Sequence, residues 1–213
     1  MKVLKTHVYW GQGDWDSFFL QKGRRWRDKD YRYVNDIFDL SMMEGSLLDV
    51  GCALGDGLAY LRNKCHRINK FVGADYSEKA IEVCQSNQAL AGIEFFQHDI
   101  MQALPQNYDN IICLATLEHI DDPQVGMQNL VDATENLLLV GVPYRNRRPD
   151  KNHVWSFDED DFSDLTDSFY FDKRHRNIYY LIDKRNMGPS ILKERRHFLS
   201  DLANKLLRFS AIR

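Results

Sequence analysis

The sequence predicts an α/β fold in three layers, with helices on both faces of a mostly parallel sheet. Three observations carry that expectation. Apolar runs around Leu48, Val72, Phe95, Ile112 and Leu138 alternate with stretches of helical period, the pattern of repeated strand and helix units. The runs DNIICLATLEHI and NLLLVGVP are apolar throughout, as strands covered on both faces are. The first run, LLDVGCALGDG, closes on Asp49 and passes through Gly51, Ala53 and Gly55 into a helix start. That is how a Rossmann-like sheet presents a ligand loop at the carboxyl end of its first strand.

The elements follow in order. After the loop, LAYLRNKC continues as a helix, and KFVGADYS rises as a second strand ending on Asp75. The next helix runs from Ser77 through Ala89. Ser77 is its N-cap, Ala80, Ile81, Val83 and Cys84 face the sheet, and Lys79 and Glu82 face outward. IEFFQHDI is the third strand and delivers Asp99 and Ile100. The fourth and fifth strands are the two fully apolar runs, the fifth stopped by Pro143. YRNRRPDKNHVW is then a polar, basic loop above the carboxyl edge of the sheet, where functional loops gather. SFDEDDFSDLT predicts a short capped helix with an acidic first turn, and DSFYFDKRHRNIYYLIDKR two strands joined by a basic turn.

Charge selects the ligand of the glycine loop. Neither Gly51 nor Gly55 begins a G-x-G-x-x-G pattern, and no G-K-[ST] follows, so neither a dinucleotide fingerprint nor a P-loop is present. Asp49 and Asp56, with no Lys or Arg in the loop, would repel a pyrophosphate. S-adenosylmethionine fits better. It brings an ammonium to Asp49 and a carboxylate to the N–H groups at the start of the helix. Asp75, a little over twenty residues beyond the loop, is placed to accept from both ribose hydroxyls.

With these motifs the sequence resembles the class I S-adenosylmethionine-dependent methyltransferases, whose first motif is an acid followed by G-x-G-x-G. The small-molecule branch that includes ubiquinone-biosynthesis methyltransferases is the nearest. The resemblance covers roughly Gly45 to Asp183 and implies a Rossmann-like three-layer sandwich, with a seven-stranded, mostly parallel sheet closed by a C-terminal antiparallel hairpin. It departs at Ala53, which stands where the family usually has its middle glycine. Cofactor contacts are implied at Asp49, Gly51, Ala53, Gly55, Asp75, Tyr76, Asp99, Ile100 and Leu114, with Asp99 meeting the adenine amine and Ile100 packing on the ring. Residues 46–185 are then the S-adenosylmethionine-binding domain.

Methyl transfer from a sulfonium needs an aligned acceptor, a dry site and, for an oxygen acceptor, a proton sink. His119, in the turn after strand four, and His153, in the polar loop, are the candidate bases. Each has a plainer reading: His119 tethers its own turn through Asp121 or Asp122, and His153 is an exposed loop histidine. No metal is expected, because neither has a ligand neighbour at helical spacing and His7, His66, His98, His175 and His197 make no ligand set. Strand four ends on Leu114, Ala115, Thr116 and Leu117 rather than the proline-rich motif of methyltransferases acting on nucleobase amines, which points to a small-molecule acceptor. The competing reading is a non-catalytic member of the fold that binds the cofactor or a partner.

Residues 1–45 are dense in aromatics, with Tyr9, Trp10, Trp15, Phe18, Phe19, Trp26, Tyr31 and Tyr33. They form either a helical lid over the cofactor or an ordinary apolar flank. Residues 186–213 read as a basic amphipathic helix that packs on its own domain or meets a partner or second copy, since Ile191, Phe198, Leu202, Leu206 and Phe209 recur beside Lys193, Arg196, Lys205 and Arg208. A net charge of −3 over 213 residues gives no field for a polyanion, so no nucleic-acid partner is indicated. Cys52, Cys65, Cys84 and Cys113 form no C-x-x-C pair, and the sequence has no signal-peptide pattern or bilayer-length apolar run. A reduced, cytoplasmic setting is the expectation.

Overall fold

The computed structural model describes residues 1–4, 9–21, 28–145, 151–165, 168–172 and 176–185. The predicted C-terminal helix and Trp26 lie outside these. Ahead of the sheet come a two-residue strand, β1 (Lys2–Val3), and two helices, α1 (Gln12–Phe19) and α2 (Lys29–Ile37). The sheet units follow as β2 (Glu44–Val50), α3 (Asp56–Arg62), β3 (Arg67–Asp75), α4 (Glu78–Ser86), β4 (Glu94–Gln97), β5 (Tyr108–Leu114), α5 (Pro123–Ala133) and β6 (Thr134–Pro143). Then come β7 (Trp155–Ser156), which pairs with β1, and the hairpin strands β8 (Ser168–Asp172) and β9 (Asn177–Asp183).

The main sheet has seven strands in the order β4-β3-β2-β5-β6-β9-β8. All pairings from β4 to β6 are parallel, and β9 joins β6 and β8 antiparallel. The order reverses between β2 and β5, and ligands of open α/β sheets bind outside the carboxyl ends of the strands at such a reversal. Alternation along the strands feeds two cores. Leu47 joins a cluster with Tyr31, Val34, Phe38, Leu58, Leu61, Ile81 and Cys84 from α2, α3 and α4. Leu48 joins the opposite cluster, with Met127, Leu130 and Ala133 of α5 and with Phe157 and Phe162. These are the three layers read from the sequence.

The N-terminal segment divides in two. α2 sinks Tyr31 and Val34, with Phe38 just beyond it, into the first core, whereas α1 has no buried residue. α1 is held instead by Asp16, which accepts from Ser77 Oγ at 2.5 Å and from the Lys79 amide at 3.2 Å. A carboxylate there also meets the positive end of α4.

Two expectations fail. The acidic stretch after Trp155 folds as turns, not a helix. Its carboxylates compete for the backbone: Asp158 accepts from the Asp160 amide at 3.2 Å and Asp161 from the Asp158 amide at 2.8 Å. Val83, expected to face the sheet, is 37% exposed, because α4 turns Ala80, Ile81 and Cys84 inward instead. Among the described residues no helix is long and apolar enough to cross a membrane.

Candidate active site

The loop after β2 is built from backbone that favours glycine. Gly51 sits at φ +80°, and a Cβ there would come 2.1 Å from Thr116 Oγ1. Ala53 also takes positive φ, 49°, so the alanine adopts the left-handed turn of the glycine it replaces. Its amide donates to Asp75 Oδ2 at 2.8 Å, and the Ser77 amide donates to Asp75 Oδ1 at 2.9 Å. Asp75 is therefore tied to both the loop and the start of α4. Each of its oxygens keeps a second lone pair for a ligand hydroxyl.

Asp49 is fully buried and receives the Tyr31 hydroxyl on Oδ2 at 2.7 Å. Burial pushes its carboxyl up to about 7, against the lowering effect of the Tyr31 hydrogen bond, with the charge of Asp75 adding to the rise. Asp75 is pushed up to about 6, again by burial first, opposed by the Ser77 and Ala53 amides. Two carboxyls so far above the usual range await a cation or donors.

Beside Asp75 a cavity of about 80 Å³ is lined by Gly51, Ala53, Tyr76, Asp99, Ile100 and Met101, and by the aromatics Tyr9, Trp10, Trp15 and Phe19 of the N-terminal segment. Ile100 is buried, and Asp99 is half-buried with Oδ1 accepting from the Met101 amide at 3.0 Å. Small-ligand sites enclose about 300–1,000 Å³, so the aromatics must shift to admit a nucleoside-sized ligand.

A second cavity of about 580 Å³ adjoins the first at Trp10, Phe19, Ala115 and His119. Its walls include Phe18, Leu114, Val142, Pro143 and Tyr179, and its polar groups Glu118, His153, Lys151 and Asn177. His119 Nδ1 donates to the Asn152 carbonyl at 2.9 Å, which leaves Nε2 with its lone pair when the ring is neutral. Burial, reinforced by His153, pushes the imidazole down to about 3, so the ring is neutral at physiological pH. The rings of His119 and His153 meet edge to face, centroids 4.8 Å apart, and Trp15 packs on His119 at 5.0 Å.

Comparison with known proteins fits this geometry. Residues 48–136 match the family model described as a methyltransferase domain. The span runs from β2 through the start of β6 and includes the glycine loop, Asp75 and Asp99. Over that span the chain is similar to S-adenosylmethionine-dependent methyltransferases. Among curated members, the ubiquinone biosynthesis O-methyltransferase of Chromobacterium violaceum is 26% identical over 139 residues, 58% of this chain and 57% of that protein. That of Pseudomonas savastanoi pv. phaseolicola is 29% identical over 124 residues, 49% and 51% respectively. The chain thus spans about half the length of the curated relatives it matches. The fold is shared with the N-methyltransferase NodS of Bradyrhizobium japonicum WM9, solved with S-adenosyl-L-homocysteine (TM-score 0.62, 16% identity, 81% of this chain and 97% of that one). It is shared too with the magnesium protoporphyrin IX methyltransferase of Synechocystis PCC 6803, also with the homocysteine product bound (TM-score 0.58, 17%, 79% and 92%).

The residues predicted to contact the cofactor gather around the first cavity, with three exceptions, the first being Gly55, which packs against Leu90 and Cys84 instead. Leu114 lines the second cavity, and Asp49 lies beneath the loop against Tyr31. His119 tethers the polar loop through Asn152 rather than its own turn through Asp121 or Asp122. Three groups of metal-ligand type, Glu118, His119 and His153, come within 4.8 Å of one another. Spacing could not signal this grouping, because His153 arrives from a separate loop. Sequence reasoning also missed Tyr31, one aromatic among many, and Asp16, one acid in a polar helix.

Proposed function

We propose that the chain transfers a methyl group from S-adenosylmethionine to a small molecule, with a hydroxyl oxygen as acceptor atom. The observation that carries the reading is the meeting of the two cavities at Ala115 and His119. One holds the acids suited to an amino-acid nucleoside, and the other is apolar-walled and closed by aromatic rings. Asp75 takes the ribose, Asp99 the adenine amine, and Asp49 the ammonium end through the loop of Gly51, Ala53 and Gly55. Tyr76, Ile100 and Leu114 pack on the bound molecule.

S-adenosylmethionine supplies an activated methyl group, so the chain's own work is alignment, exclusion of water and handling of one proton. His119, held neutral with Nε2 free to accept, orients the acceptor hydroxyl. Burial makes it a weak base, which moves the proton-accepting role to His153, half-buried in the loop at the cavity rim. α1 serves as the lid: Trp10, Trp15 and Phe19 line the cofactor cavity, and Asp16 latches the helix to Ser77 beside Asp75. The names of the curated relatives support oxygen as the acceptor atom. Single-turnover assays with labelled S-adenosylmethionine against phenols, aliphatic alcohols and amines test the reading. Methylated phenol or alcohol supports it, and transfer to amines alone overturns the oxygen assignment.

A further inference from the structure

We infer that Tyr31 is a positioning residue of the cofactor site: its hydroxyl fixes one oxygen of Asp49 and keeps the other for the ammonium of the cofactor. The inference rests on the cofactor reading above and assigns part of that site to the N-terminal segment. Tyr31 belongs to α2, is 4% exposed, and donates to Asp49 Oδ2 at 2.7 Å. Asp49 Oδ1 is buried with no hydrogen-bond partner. A buried carboxylate oxygen without a donor is costly, and the loop from Gly51 to Gly57 contains no Lys or Arg that could supply one. The donor it fits is a ligand's.

The Tyr31 ring has one seat. A Cβ on Gly57 would come 2.2 Å from ring carbons Cε2 and Cζ, so the ring lies directly on the first turn of α3. The groups facing Asp49 are Tyr31 from α2, Cys52 from the loop, Asp75 from β3 and Cys113 from β5. Tyr31 is the one that donates to it, and the other acid, Asp75, opposes its ionisation. The phenol therefore both aims the carboxylate and favours its charged form, the form an ammonium recognises.

The test is S-adenosylhomocysteine affinity of the full chain against pH, for wild type and Tyr31→Phe, with adenosine as a ligand that lacks the ammonium. Tyr31→Phe keeps the ring on Gly57 and removes the donor. Its S-adenosylhomocysteine affinity is expected to fall about tenfold near pH 6, with less loss near pH 8 and a binding midpoint moved upward, while adenosine binding is unchanged. The same loss at every pH, or none, overturns the inference. Failure of wild type to bind either ligand overturns the cofactor reading instead. Should Tyr31→Phe not fold, 3-fluorotyrosine at position 31 keeps the ring and strengthens the donor. A downward midpoint then supports the inference, and an unmoved one overturns it.

Discussion

His119 and His153 meet edge to face with ring centroids 4.8 Å apart, and His119 Nδ1 donates to the carbonyl of Asn152, the residue before His153. In the proposed function the two histidines divide the work: His119 orients the acceptor and His153 takes the proton. His153→Ala is expected to lower turnover by about 10²–10⁴ while leaving S-adenosylhomocysteine affinity intact. His119→Ala should lower turnover and also raise KM for the acceptor, since the variant frees the loop that carries His153. Steady-state kinetics and calorimetry on both variants check this. Full activity in both removes histidine from the mechanism.

The neutral His119 has a signature in stability. An unfolded imidazole titrates near 6.5 and the folded one near 3, so between these values the unfolded chain binds the extra proton. The stability associated with His119 is complete above pH 6.5 and is lost as pH falls toward 3. Denaturant midpoints of wild type and His119→Gln should converge as the solution is acidified through that window.

Cofactor binding should depend on pH in the opposite sense to carboxyl stability. Asp49 and Asp75 hold protons to about 7 and about 6 in the ligand-free fold, against 3.8 when unfolded, so their burial lowers stability as pH rises from about 4 to about 7. The ligand's ammonium favours the ionised form of Asp49, and its ribose hydroxyls the ionised form of Asp75. S-adenosylhomocysteine affinity is expected to rise with pH through that range, with release of up to about one proton per ligand near pH 6. Calorimetry in buffers of different ionisation heat reads that proton directly.

Two substitutions in the loop should diverge. Gly51→Ala places a methyl group against Thr116 at φ +80° and is expected to cost about 2–4 kcal/mol and abolish cofactor binding. Ala53→Gly relieves a left-handed alanine at φ 49° and should gain about 0.5–1 kcal/mol after the entropy of glycine is counted. Thermal melts with and without S-adenosylhomocysteine check both.

The lid is tested by Trp15→Ala and by removal of residues 1–20. α1 contributes no buried side chain, so the shortened chain should fold, release the cofactor faster and turn over poorly. Loss of folding would make α1 part of the core.

The succession of strands and helices and the acids at the strand ends were legible in the sequence because each belongs to one local pattern: an apolar run, its terminal acid and the turn beyond. Asp75 and Asp99 could be placed from the strands that carry them. Contacts between distant segments were not legible. Tyr31 reaches Asp49 across 18 residues, Asp16 reaches Ser77 across 61, and Glu118, His119 and His153 meet through a loop with no periodicity. The acidic stretch near Asp158 misled in the opposite direction, since its helix signal was local and its carboxylates satisfied the backbone locally as turns.

The most direct measurement of the central claim is calorimetric titration of S-adenosylhomocysteine into wild type and Asp75→Ala. A single site in wild type, weakened by about 2–4 kcal/mol in the variant through loss of two hydrogen bonds to a charged acceptor, is the predicted result. Equal affinity in the two proteins, or binding of NAD in place of S-adenosylhomocysteine, would contradict it.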